Sequence, residues 1–131
     1  MFVLTSPGFG DAQTMPSKYA KSPAVGGENL SPPLSWDGSP RHVKSFALAV
    51  VDRHPVARNY VHWLVADISA EVTSLEQGAS GHGAMPVGSR ELKAYTGPNP
   101  PSGSHAYEFT IYALATKSLD LTTPACPSPI Q

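Results

Sequence analysis

Five histidines, His42, His54, His62, His82 and His105, together with Asp52, carry most of the chemistry this chain offers. His62 lies inside an apolar run at 60–68, where strict alternation puts it on the face opposite Val61 and Trp63. His105 stands two residues before another run that begins at Tyr107. Asp52 closes a run that starts at Ser45, and Arg53-His54-Pro55 opens the loop behind it. Strand ends and their loops are where a sheet protein exposes functional groups. An Asp and two His gathered there can bind an anion through imidazole N–H donors, hold a metal, or move protons. Plainer readings stand beside these. A lone strand histidine is more often structural, Asp52 before a turn makes an Asx-turn, and His42 and His82 lie in polar loops and are solvated.

Sharper chemistries find little support. Asp52 and His54 are one possible ligand pair, but no HxH, HxxxH or Cys/His cluster joins them, so no metal and no cofactor is expected. Gly78-Ala79-Ser80-Gly81-His82 fails the G-x-S-x-G nucleophile pattern at its last position. No GxxxxGK[ST] phosphate loop exists. Cys126 lies in a proline-rich tail with no histidine nearby in sequence, so it is discounted as a nucleophile.

These residues need strands to position them. Residues 45–52 (SFALAVVD), 60–68 (YVHWLVADI) and 107–115 (YEFTIYALA) have strand character, with weaker candidates at 2–4 and 34–36. Between them lie turn-formers such as Ser31-Pro32-Pro33, Asp37-Gly38-Ser39-Pro40 and Gly97-Pro98-Asn99-Pro100-Pro101. Residues 69–77 are expected to hold at most one short helical turn, capped by Ser69 or Thr73. Of 131 residues, 14 are proline and 11 glycine, which argues against a helical bundle. The expected fold is mainly β, an antiparallel sandwich with few or no helices, as one domain over 1–121 and an irregular tail over 122–131.

A net charge of −1 disfavours nucleic acid as a partner. A single cysteine fits a reducing compartment, no secretory signal is visible, and the longest apolar run, 46–51, is too short to span a bilayer. A cytoplasmic protein without a transmembrane segment is therefore expected.

Four blocks, in order, make the chain resemble the phosphatidylethanolamine-binding protein family, which includes the Raf kinase inhibitor proteins, and its short bacterial and archaeal branch in particular. Asn29-Leu30-Ser31-Pro32-Pro33-Leu34-Ser35-Trp36 resembles an N-x-SPPL-x-W block. Val51-Asp52-Arg53-His54-Pro55 stands where the family has D-P-D-x-P, and His62-Trp63 matches its histidine–aromatic pair. Residues 97–107, GPNPPSGSHAY, match G-P-x-P-P-x-G-x-H-R-Y. The resemblance implies a β-sandwich with a small anion pocket at one end. Its walls here would be Asp52, Pro55, His62, Pro100, Pro101, Gly103, His105 and Tyr107, with Tyr60 at the rim.

The chain departs from the family pattern in three ways. His54 replaces the second Asp and Ala106 replaces the Arg, so one negative and one positive charge are lost together. If they face each other in relatives, losing both avoids an unpaired charge. His54 also adds a titratable group at the mouth, so anion affinity is expected to fall as pH passes about 6.5. Residues 116–131 carry no apolar helical period, so the family's C-terminal helix is expected to be absent, one side open, and the chain self-associated, as a homodimer for instance. The resemblance implies a non-enzymatic module that holds a small anion or phosphorylated headgroup and regulates a protein kinase or serine protease. Two alternatives are a small hydrolase using His62 or His105 as acid–base and a structural, self-assembling protein with a vestigial pocket.

Overall fold

A computed structural model describes residues 2–10, 16–20, 27–53, 60–80, 84–97 and 107–117. Among the described residues seven strands form two antiparallel sheets: β1 (Val3–Thr5), β2 (Leu34–Asp37), β3 (Ser45–Asp52), β4 (Val61–Ser69), β5 (Ser74–Leu75), β6 (Arg90–Lys93) and β7 (Tyr107–Leu114). The smaller sheet runs β1-β2-β5 and the larger β6-β4-β3-β7. Among the described residues there is no α-helix, only a 3-10 turn at Ser17–Tyr19.

The chemistry of β3 explains its central place. All eight residues are buried, and its short Ser and Ala side chains alternate with bulkier apolar ones. A strand covered on both faces reads as such a continuous run. Phe46, Leu48 and Val50 point inward and pack with Leu34, Trp36 and Leu75 of the smaller sheet and with Trp63, Val65, Ile68 and Tyr95. The Trp36 and Phe46 rings meet edge to face, centroids 5.6 Å apart, and join the two sheets. Burial of such aromatic and aliphatic side chains is the main stabilising term for a sandwich. Ala49, Val51 and Leu64 form a second buried cluster on the outer face, with Val61, Leu92 and Tyr112 against it. The expected absence of a C-terminal helix, and the open side inferred from it, fall largely on residues 118–131, outside the described residues.

β3 and β7 pair without interruption from Ser45↔Leu114 to Asp52↔Tyr107. The β3–β4 ladder is different: it slips between Val50↔Trp63 and Val51↔Val61, so His62 is an extra residue with no opposite number. That is a β-bulge, which bends a strand and re-aims its side chains. A second slip, between Phe46↔Ile68 and Leu48↔Val65, contains Asp67 at φ +58°, held by an ion pair to Arg90 at 2.6 Å.

Two elements differ from the sequence expectation. Residues 69–77 hold a turn, closed by Val72 N–H donating to Ser69 C=O, and then β5 rather than a helical turn. Leu75 draws that segment into the sandwich, where it pairs with Leu34. Strand β6, Arg-Glu-Leu-Lys, carries no β-branched residue and no apolar alternation, and it forms because β4 supplies a ladder. The boundary expected at 121/122 lies outside the described residues.

Candidate functional site

The site is assembled where the inner ends of β3, β4 and β7 meet. Asp52 and Tyr107 are the terminal pair of the β3–β7 ladder. Tyr107 shares a face with Phe109 and Ile111, which pack on the inner core, so that pair faces between the sheets. Asp52 is only 4% exposed, and its backbone N–H donates to Tyr60 C=O at 2.9 Å, fixing the start of β4 against the end of β3.

His62 reaches this place because of the bulge. Unbroken alternation would put Val61 and Trp63 on one face and His62 on the other. In the fold, Val61 packs on the outer cluster and Trp63 in the inner one. The expected assignment of faces thus fails, and the His62 ring lies 5.3 Å from Tyr107, edge to face. His62 is 7% exposed. Its Nδ1 is 2.7 Å from Thr96 C=O, and Thr96 N–H donates to His62 C=O at 2.9 Å. A carbonyl only accepts, so Nδ1 carries the proton in this bond. Tyr60, 46% exposed, sets its ring 4.8 Å from that of His62 and forms the rim.

Loss of water raises the Tyr107 hydroxyl from its ordinary 10.0 to about 12, and the neighbouring Asp52 charge adds to the shift. At neutral pH Tyr107 is therefore a phenol and a proton donor rather than a base. Burial likewise raises Tyr95, whose hydroxyl donates to Tyr19 C=O at 2.8 Å.

The segment that carries Thr96 is braced from two directions. Gly97 N–H, buried, donates to Asn29 Oδ1 at 2.6 Å. Asn29 itself sits at φ +52°, a left-handed conformation that Asn tolerates better than most residues. Ser80 accepts Tyr95 N–H at 2.9 Å and donates to Glu91 at 2.5 Å, while Glu91 also accepts Trp63 Nε1–H at 2.9 Å. The early Asn29–Ser31 segment thus acts as a strut for the segment that ends at Gly97.

Of the residues expected at the site, Asp52, Tyr60, His62 and Tyr107 are brought together. Pro55, Pro100, Pro101, Gly103 and His105 lie outside the described residues, as do His54 and Ala106. A charge pair does cross this end: Arg53 and Glu108, both about half-exposed, meet at 2.5 Å. Four contributors escaped the sequence reading. Asn29 and Gly97 stood in quoted blocks, but nothing in their spacing announced a bond between them. Thr96 acts through its backbone, and Lys93 belongs to a strand with no sequence signal. Among the described residues no group of three or more His, Cys, Asp or Glu is placed to hold a metal.

A two-sheet β-sandwich with an Asp, a His and a Tyr gathered at one end defines the class. The chain belongs to the phosphatidylethanolamine-binding protein family, whose model matches residues 5–130. It is 40% identical over 119 residues to a UPF0098 protein of Methanothermobacter thermautotrophicus, covering 86% of this chain and 76% of that one. A Mycobacterium tuberculosis protein named as a lipoprotein, LppC, is 37% identical over 116 residues; the match covers 85% of this chain and about half, 54%, of that one. The crystal structure of Escherichia coli YbcL, described as a member of the mammalian PEBP family, superposes with a TM-score of 0.80 at 30% identity, covering 92% of this chain and 80% of YbcL. No helix among the described residues is long and apolar enough to cross a membrane.

Proposed function

We propose that the chain is a non-enzymatic binding module that holds one small anionic group, phosphate or carboxylate, at the end of the sandwich. Asp52, His62 and Tyr107 form its floor and Tyr60 its rim, with Pro55, Pro100, Pro101, Gly103 and His105 completing the walls from the loops. One observation carries the reading: His62 is turned inward by a bulge and fixed through Nδ1 by Thr96 before any ligand arrives. A preset ring is what a binding site needs, because ordering the group costs nothing further on association. Tyr107 adds a hydroxyl that stays protonated. Regulation of a protein kinase or serine protease through this site is the further step that family membership suggests, and a cytoplasmic location accompanies it.

The test is a titration of the imidazole resonances with inorganic phosphate and with acetate. The His62 signals are expected to move saturably with at least one of them, and the response is expected to weaken in Tyr107→Phe, which keeps the reporting ring and removes a donor beside it. An unresponsive His62 with both anions at tens of millimolar overturns the reading. Steady turnover of a phosphate or carboxylic ester, lost in His62→Gln, would instead favour a hydrolase.

A further inference from the structure

Lys93 is a cation placed at the rim of this site. It ends strand β6, beside β4, with its backbone opposite Leu64. Its ammonium stands over the Tyr60 ring, 5.5 Å from the centroid, and lies 3.4 Å from Thr96 Oγ1. Thr96 is the residue that holds His62, and Tyr60 is the ring that edges it at 4.8 Å. One tyrosine ring therefore separates the Lys93 charge from the His62 imidazole.

Two other basic side chains near this sheet are matched. Arg53 pairs with Glu108 and Arg90 with Asp67. Lys93 has no carboxylate partner among the described residues. A cation over an aromatic face is attracted by the ring but not neutralised by it. Its field reaches the space above Tyr60 within the screening length of about 8 Å at physiological salt.

Resting on the anion-site reading, we infer that Lys93 selects the ligand by the charge of the part that stays outside the pocket. A ligand whose pocket-bound phosphate or carboxylate carries a second anionic group on a short linker gains from Lys93. One that carries an ammonium there is opposed. The favoured class is a small bis-acid, such as a phosphate monoester with a carboxylate one or two atoms away. The electrostatic part of this choice weakens with salt.

The experiment compares phosphoglycolate, O-phosphorylethanolamine and inorganic phosphate by calorimetry at low and moderate salt. Three variants are compared with the unaltered chain. Lys93→Met keeps an apolar stem on Tyr60 and removes the charge, Lys93→Glu reverses it, and Lys44→Met removes one charge beyond the far end of β3. The phosphoglycolate-to-phosphorylethanolamine affinity ratio is expected to exceed one. It is expected to fall at least threefold in Lys93→Met and further in Lys93→Glu. Inorganic phosphate should stay within twofold, and Lys44→Met should leave the ratio nearly unchanged. A ratio indifferent to Lys93, or one that Lys44→Met shifts as much, overturns the inference. So does an equal loss of inorganic phosphate, which would make Lys93 part of the pocket floor. If none of the three ligands binds the unaltered chain, the anion-site reading itself falls, a result distinct from an unchanged ratio.

Discussion

His62 and Thr96 hold each other twice: Thr96 N–H donates to the His62 carbonyl at 2.9 Å, and the Thr96 carbonyl accepts from His62 Nδ1 at 2.7 Å. The second bond fixes the tautomer. With its proton committed to Nδ1, a neutral ring presents a lone pair at Nε2, and Nε2 becomes a donor only in the imidazolium. Around the ring stand Asp52 from β3, Tyr107 from β7, Tyr60 at the start of β4 and Lys93 from β6.

Anion binding through Nε2 is therefore expected to take up a proton when the ring starts neutral, so that affinity falls as pH rises. Acetate is the clean probe, because carboxylates ionise near pH 4 and bring no proton at about pH 8. Calorimetry in buffers of different ionisation heat reads the uptake directly. The unaltered chain should take up a substantial fraction of one proton, and His62→Gln, whose amide donates at any pH, should take up less. Binding without uptake in the unaltered chain would show that Nε2 does not donate to the ligand.

Asn29 is expected to matter more than an exposed loop residue should. Asn29→Ala leaves the buried Gly97 N–H without its 2.6 Å acceptor and also puts a less tolerant residue at φ +52°. An orphaned buried donor costs about 1–3 kcal/mol. Asn29→Gly removes the same bond but accepts the backbone, so it should lose less stability while losing comparable ligand affinity. Urea unfolding and anion titration separate the two effects. Equal unfolding midpoints for both variants would remove the conformational part of the argument.

Tyr107 makes stability sensitive to alkali. Its proton leaves at about 12 in the fold against 10.0 ordinarily. Between those values the unfolded chain has given up a proton that the native chain keeps, so the native state loses ground as pH rises. The contribution is complete below pH 10.0 and is lost on the way to about 12. Tyr95 acts in the same direction. In Tyr107→Phe the fall of unfolding free energy over this range should be shallower. An unchanged slope would mean that Tyr107 titrates in the fold as it does unfolded.

Much of this arrangement was legible in the sequence because it is made of local chemistry. The apolar run at 45–52 became β3 with the same bounds, and the alternation from Tyr107 became β7. The ordered blocks pointed to Asp52, Tyr60, His62 and Tyr107, which do meet. What could not be read depends on pairing between distant segments. A bulge at His62 needs the β3 register to exist before it can be counted. Strand β6 has three charged residues in four and becomes a strand only through β4. Asn29 and Gly97 are 68 residues apart, and Thr96 contributes backbone atoms that any non-proline residue also carries. Residues 69–77 misled because capping residues favour a turn of helix locally, while Leu75 gains more by entering the core.

Glu91 is expected to be the most sensitive polar residue outside the site itself. One carboxylate oxygen, Oε2, accepts from Trp63 Nε1 at 2.9 Å and from Ser80 Oγ at 2.5 Å. Trp63 is fully buried, and its ring packs edge to face on Tyr95 at 5.5 Å. Glu91→Ala strands the indole N–H and the Ser80 hydroxyl together, so a loss of about 2–4 kcal/mol is expected. Glu91→Gln keeps an acceptor oxygen and should cost about 1 kcal/mol, the difference between a charge-assisted bond and a neutral one. Because Ser80 also holds Tyr95 N–H at 2.9 Å, one residue before Thr96, the alanine variant should weaken anion binding as well. Unfolding followed by tryptophan fluorescence gives the stability change, and anion titration of the folded fraction gives the second effect. Alanine and glutamine variants of equal stability would show that the oxygen is not what holds Trp63 in place.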